Sequence, residues 1–327
     1  MAWTSLFKSK LEPDPRVRWF GKLPTYADYY SSPPDEDWAV EFNEWVLKGF
    51  EIYQSRLIQS GGRRQRVPVL QCVIRLPKSK MTALASLQDY GGDMHGRPFP
   101  LCFFVGVPTA QWSGPSGDQV AAAVRVIGDL TALHRQVPRM LKGPGRFESI
   151  FGDRTADLGS VVEVAADGSW QEQALSLPLA DWFAGAEAVL RVKDPEAWFE
   201  LAVRWGDRIA GLECDTFEPT LRLPLAGGIA VNVQAAGWLR WLESRMDLRR
   251  RALSLMICGE TEREPGHLCV IARETVPEDF VLATGLAGTV SYADDLSQAH
   301  GADEKGETRR RLSGTWRSFV EEPPASP

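Results

Sequence analysis

The chain has 327 residues, of which 44% are hydrophobic and 24% charged, and a formal net charge of −6. That length accommodates one large or two modest domains, and the composition is that of a soluble globular protein rather than a disordered or fibrous one. An acidic balance argues against a general nucleic-acid binder, which needs a basic excess to neutralise phosphates, and leaves Arg63-Arg64, Arg249-Arg250-Arg251 and Arg309-Arg310-Arg311 as solvated faces or local docking spots.

Met1 to Lys10 holds Trp3, Leu6 and Phe7 but not the continuous apolar core of a secretory signal. No window approaches the run of about 18 apolar residues of a membrane span, so the expected compartment is the cytoplasm. The next stretch, Arg18-Trp19-Phe20-Gly21-Lys22-Leu23-Pro24-Thr25-Tyr26-Ala27-Asp28-Tyr29-Tyr30, sets charge beside Gly and Pro, where the backbone must turn sharply. Gly92-Asp93-Met94-His95-Gly96-Arg97-Pro98-Phe99-Pro100-Leu101 does the same. Turns of this kind build fixed recognition surfaces.

Ser31 to Asp37 breaks the chain and supplies N-cap side chains and first-turn carboxylates for a helix. Trp38, Phe42, Trp45, Gly49 and Ile52 form one stripe of that helix and Val46, Phe50, Tyr53 and Leu57 a second, with Gly61-Gly62 as its end. Val67 to Leu76 and Phe99 to Val107 read as neighbouring buried strands. Ser79 to Leu87 between them reads as a short helix, giving a strand, helix, turn, strand unit. An Ala-rich helix starts at Gly117 or Asp118, buries Val120, Val124, Ile127 and Leu130, and stops before Pro138.

Gly, Pro and charge from Lys142 to Asp157 suggest a surface connection and subdomain boundary. Ser160 to Val164 and the region of Trp170 read as a hairpin turning at Asp167-Gly168. Asp194-Pro195-Glu196 opens a helix with Trp198, Leu201, Trp205 and Ile209 as its buried stripe. Gly228 to Val233 reads as a strand, followed by a helix lined by Ala235, Trp238, Leu239, Leu242 and Met246. Leu253 to Cys258 and His267 to Ala272 read as a paired hairpin. Beyond Asp294 the pattern fades into a polar tail expected to be mobile, with Trp316 and Phe319 as its large anchors. These two, three residues apart, suit docking in a groove as one helical turn or packing back on the parent domain.

Several chemistries compete for the two motif segments. Gly92-Asp93-Met94-His95-Gly96 matches the Gly-Asp-x-His-Gly string of metallophosphoesterases, whose Asp and His hold water-activating metals. The chain lacks their later Gly-Asn-His string, however, and the segment precedes an apolar strand instead of following one. A cysteine hydrolase would use Cys102 with His95 and Asp93, but Cys102 lies in an apolar run where a small filler is expected. Asp28 and Asp93 are candidates for a paired acid/base site. The five cysteines are odd in number and include no Cys-x-x-Cys pair, which favours reduced core thiols over zinc or disulfides. Trp38, Trp45, Trp198, Trp205 and Trp238 fall on helical stripes, which favours core roles for them.

The segment Phe20-Gly21-Lys22-Leu23-Pro24 with Asp28-Tyr29 resembles the N-terminal signature of the TagF (ImpM) family, accessory proteins of bacterial type VI secretion. Ala27 stands where that family usually has Gly. Asp93, Gly96, Arg97, Phe99, Pro100 and Leu101 match the family's second signature, so the specific resemblance spans about Val17 to Val105. Ser254 to Ile257 and His267 to Phe280 resemble the closing hairpin and Leu-Pro-x-x-Phe end more weakly. The resemblance implies an α/β fold: a three-layer α/β/α sandwich with a mixed sheet, a long central insertion and a mobile C-terminal tail. The implied organisation is an arm at 1–16, a domain at 17–293 (17–140, an extra central segment at 141–217, and 218–293) and a tail at 294–327. It also implies a non-enzymatic regulator, without cofactor or metal, that restrains assembly or firing of the contractile machine. Its partner would be a forkhead-associated scaffold protein or the cytoplasmic side of the membrane complex, with no nucleic acid and no membrane insertion. Lys22, Pro24, Asp28, Asp93, Gly96 and Arg97 are the expected partner-binding or loop-fixing residues. A hydrolase built on Asp93, His95 and Cys102 and a structural subunit of a related contractile apparatus remain the alternatives.

Overall fold

The computed structural model describes residues 11–33, 36–61, 67–112, 117–141, 146–162, 169–182, 220–226, 228–245, 252–259, 266–284 and 294–295. Their strands are β1 (Asp14–Gly21), β2 (Tyr30–Ser31), β3 (Leu70–Leu76), β4 (Met81–Gln88), β5 (Leu101–Pro108), β6 (Thr220–Pro224), β7 (Ser254–Cys258), β8 (His267–Ile271) and β9 (Asp294–Asp295). They form one sheet in the order β2-β1-β5-β4-β3-β7-β8-β6-β9. Neighbours are antiparallel except β6 and β9, which run parallel and make the sheet mixed.

Alternation along the strands sorts side chains into two cores, as a sheet buried on both faces requires. One face carries Trp19, Phe103, Val105, Leu84, Val73, Leu255 and Val270. It is covered by α2 (Gly117–His134), α4 (Arg146–Phe151), α6 (Ser169–Ser176) and α7 (Val231–Glu243). The opposite face carries Phe20, Phe104, Cys102, Ala83, Ala85, Cys72, Met256 and Cys269 under α1 (Asp37–Gln59) and α8 (Asp279–Ala283). The result is an α/β fold of three layers. Cys72, Cys102, Cys258 and Cys269 are buried thiols, and burial pushes Cys72 and Cys102 well above the usual thiol range.

Helix α1 buries both of its stripes except Ile52, which is half-buried. Its N-terminus differs from expectation. Glu36 occupies the cap position without a side-chain hydrogen bond, so the first turn relies on backbone bonds and on the dipole-matched carboxylate of Asp37. Gly49 sits where an added Cβ would lie 2.6 Å from Cβ of Phe280, which brings α8 against α1.

The expected helix at Ser79 to Leu87 is instead β4, paired with β3 over Met81–Leu87 and with β5 along its whole length. The expected neighbours β3 and β5 are therefore separated by β4. Alanine's helix propensity is overridden by burial on both faces, where Ala83 and Ala85 leave room for α1. The hairpin turn before β4 ends at Lys80, with φ 57°.

Three further expectations are corrected. The two flanks of the expected hairpin are helical rather than extended: Gly159–Val162 is a helical turn, α5, and Ser169–Ser176 is α6. The α6 amides of Trp170 and Gln171 donate to Asp118 Oδ1 from α2, a cap supplied across the tertiary structure. Gly228 to Val233 is a turn leading into α7, and the strand of that region is β6. The stretch Lys142 to Asp157 is not merely a surface connection: Phe147 and Phe151 in α4 are buried against Phe103, and residues 154–156 pair with β1. There Val17 N donates to Arg154 O at 2.8 Å and Ala156 N to Pro15 O at 2.8 Å, which covers a sheet edge otherwise open to association. A short helix, α3 (Val137–Met140), follows α2 and contains Pro138.

Strand β1 begins at Asp14, inside the expected arm, and β9 lies inside the expected tail. The remaining tail, the Arg clusters, Cys214, Met246, Gly62, Asp167-Gly168 and the expected helix at 194–209 fall outside the described residues.

At the C-terminal end of α2, His134 is fully buried between Ser86 and Tyr90. Its Nε2 lies 3.1 Å from the Ser86 carbonyl and its Nδ1 3.0 Å from the Tyr90 hydroxyl. Because the carbonyl only accepts, neutral His134 carries its proton on Nε2. Burial lowers the imidazole to about 4, opposed in part by the Ser86 hydrogen bond. The unfolded chain, with a value of about 6.5, takes up the proton first. Stability from this site is therefore complete above about pH 6.5 and is lost as pH falls toward 4, by about 3 kcal/mol at most. His134→Gln should remove that slope between pH 7 and 5 in urea titrations; an unchanged slope would assign it elsewhere.

Candidate functional site

One row of paired residues crosses the sheet: Phe20, Cys102, Leu87, Leu70, Cys258, His267 and Pro224, from β1 to β6. The loops after β1 and before β5 leave the sheet at this end, so the two motif segments meet there although 71 residues separate Lys22 from Asp93.

The first loop starts at Gly21, whose φ of +151° is a conformation L side chains rarely adopt and where a Cβ would lie 2.2 Å from the Pro100 carbonyl oxygen. Pro24 then occupies the second position of a turn closed by Tyr26 N donating to Leu23 O at 3.0 Å, the position its fixed φ suits. The second loop is a turn from Asp93 to Gly96 closed by Gly96 N to Asp93 O at 2.8 Å, with Gly96 at φ +68°. Met94 N donates to Tyr26 O at 2.9 Å and the Arg97 guanidinium donates to Ala27 O, lacing the loops by backbone. Ala27 is not among the residues at positive φ, so alanine is accommodated there without strain.

Asp93 is the hub. Its Oδ1 accepts the amides of His95 and Arg97, both at 3.0 Å. Its Oδ2 accepts Lys22 Nζ at 3.1 Å and Arg97 Nε at 2.7 Å. Arg97 thus binds Asp93 through backbone and Nε together, not through a guanidinium fork. Burial raises the Asp93 carboxyl, but the Arg97 amide, Lys22, the Arg97 side chain and the His95 amide outweigh it and hold the group well below the usual carboxylate range. A depressed value means the stabilisation is present above the unfolded value of about 3.9 and is lost as pH falls below it. Asp93→Asn should therefore destabilise the chain more at pH 7 than at pH 3, read from urea midpoints; an equal loss at both would assign the effect to packing.

The cation of Lys22 is buried and lies 4.6 Å from the Tyr29 ring centroid. Tyr29 stacks on Phe20 and meets Phe99 edge-on, so an aromatic lid closes the ion pair. Its hydroxyl is pushed up by burial, then by Glu51 and Asp28. Asp28 accepts the Tyr29 amide at 2.8 Å and stands 4.0 Å from Arg97; exposed as it is, that contact contributes little.

Lys22, Pro24, Asp93, Gly96 and Arg97 thus share one knot, with Asp28 at its rim. Tyr29, 44% exposed, and Met94, 58% exposed, complete its outer surface. Neither was singled out by charge, although each flanks a charged residue that was. All four acceptor positions of Asp93 are taken, His95 is exposed, and Cys102 lies buried under α1. Among the described residues no group of three or more His, Cys, Asp or Glu is placed to hold a metal, and no helix is long and apolar enough to cross a membrane.

No family model matches the chain, and no curated protein matches it. Among solved structures, the crystal structure of PA0076 from Pseudomonas aeruginosa PAO1 is similar at 16% identity, over 82% of this chain and 93% of that one, with a TM-score of 0.34. A likeness of that degree carries no argument about this chain.

Proposed function

We propose that the protein is a non-enzymatic accessory regulator of a bacterial type VI secretion system, acting in the cytoplasm through protein contact. The observation that carries this reading is the meeting of the two segments that resemble the TagF signatures in one ion-paired knot. A rigid loop pair costs little conformational entropy on binding, and its exposed Tyr29 and Met94, ringed by Arg97, Asp28 and His95, have the aromatic, Met and Arg character of interface centres. Lys22, Asp93, Gly96 and Pro24 hold the loops, Arg97 both ties them together and borders the contact surface, and Tyr29 and Met94 make the contact. The partner is a forkhead-associated scaffold protein or the cytoplasmic face of the membrane complex, and the effect is restraint of assembly or firing.

Co-purification of the tagged chain with the forkhead-associated protein of the same secretion machinery tests this. Met94→Ala and Arg97→Ala should each weaken retention about tenfold or more, with thermal unfolding little changed for Met94→Ala, while His95→Ala should leave retention intact. Wild-type retention unaffected by both substitutions, or phosphodiester turnover abolished by His95→Ala, would remove the reading.

A further inference from the structure

The same end of the sheet that carries the two loops also holds an apolar cavity of about 300 Å³. Val69, Leu225, Ile229, Val231, Ile257 and Gln234 are among its walls. One wall is prebuilt. Gln234, on α7, receives the Ala226 amide on Oε1 at 2.6 Å and donates to the carbonyls of Ala226 and Ile229 at 2.9 and 2.8 Å. The amide is thereby spent on its own loop. That volume lies at the low end of ligand sites, about 300–1,000 Å³, suited to one or two large side chains.

The course of the chain indicates which side chains. Strand β9 runs parallel to β6, with Asp294 beside Leu221 and Asp295 beside Arg222. At Asp295 the backbone of β9 therefore points in the direction in which β6 runs into Leu225 and Ala226, which line the cavity. The distance from the level of Asp295 to that of Leu225 is about three strand residues, roughly 10 Å. Trp316 follows Asp295 by 21 residues, and the random-coil span for that many residues is about 25 Å, longer than the separation from the cavity. In the final 32 residues, 296–327, Trp316 and Phe319 are the aromatic side chains, each with a large apolar area to bury.

We infer that Trp316 and Phe319 of this chain's own C-terminal segment seat in the cavity between β7, the β6–α7 loop and the start of α7. The occupant is tethered, so its effective concentration is in the millimolar range, and a site of even ~100 µM intrinsic affinity is filled about ten to one. The docked segment lies on the rim shared with the contact loops, four strand spacings or about 19 Å from β1. It is positioned to be displaced by, or to add to, whatever engages Tyr29 and Met94. The inference is independent of the secretion reading, since it needs only the cavity and the course of the chain.

Hydrogen exchange on the full chain tests it. In Trp316→Ala/Phe319→Ala the amides of 225–234 and 254–259 should exchange about tenfold faster than in wild type, with the amides of β4 unchanged. Adding a synthetic peptide of residues 309–322 at millimolar concentration to that variant should restore slow exchange. Ile229→Glu, at a half-buried cavity wall, should abolish the rescue. Equal exchange in wild type and the double variant would overturn the inference, as would faster exchange spread over the whole sheet. Protection that disappears on dilution of the wild type would assign the cavity to a second copy's tail and overturn the intramolecular form.

Discussion

Gly21→Ala is expected to cost about 4–5 kcal/mol or more, a loss reserved for a few mechanisms of which backbone collision is one. The added Cβ would lie 2.2 Å from the Pro100 carbonyl oxygen and 2.5 Å from Leu101 Cα. Both are main-chain atoms at the entry of β5, so no rotamer change relieves the contact. Relief requires β1 and β5 to part where Phe20 pairs with Cys102, and with them the two loops that Lys22 and Asp93 join. The φ of +151° adds strain of its own. The control is Gly61→Ala, at φ +69° with nothing within 4 Å of the added atom, where only the left-handed conformation is penalised, by about 1 kcal/mol. Urea unfolding of both variants separates the close approach from backbone conformation. A Gly21→Ala loss no larger than the Gly61→Ala loss would mean that β1 and β5 do not approach as described.

Phe42→Ala is expected to cost about 3–5 kcal/mol, the range for truncating a fully buried aromatic. Phe42 is completely buried, with its ring centroid 4.7 Å from that of Phe104 on β5 and 6.4 Å from that of Trp45 one turn away. It holds the N-terminal half of α1 on the sheet, and its removal leaves a cavity bounded by rigid strands that cannot collapse into it. Val40→Ala, on the exposed side of the same helix, should stay within about 0.5 kcal/mol. Guanidinium titrations of the pair measure the difference. Equal effects would indicate that α1 is not seated as described.

How much was legible differs from element to element for physical reasons. Helix α1 was readable because its two apolar stripes repeat at helical spacing over 23 residues, a signal no single residue can spoil. The β7–β8 hairpin was readable because two short apolar runs flank a polar turn sequence. Strand β4 was not, since Met81-Thr82-Ala83-Leu84-Ala85-Ser86-Leu87 has the composition of a helix and owes its extended form to the strands on both sides. Gly228 to Val233 misled in the opposite direction, because β-branched residues at the start of α7 resemble a strand until the burial of Val233, Trp238 and Leu242 settles its period.

For the candidate site, the residue types and turn chemistry were present in the sequence. Charge set among Gly and Pro identified Lys22, Asp93 and Arg97, and Pro24 and Gly96 marked the turns. The local string of amino acids determined that these loops would be tight and charged, because φ restrictions act within a few residues. It also determined that the chain would bury sheets and helices, because periodicity is written residue by residue. Only the tertiary structure decided which charges meet. The pairing of Lys22 with Asp93 depends on β1 lying beside β5, and the exposure of Met94 and Tyr29 depends on what packs beneath them. Contacts across 71 residues are settled by strand order, which is an outcome of the whole packing balance and has no signature in any one segment.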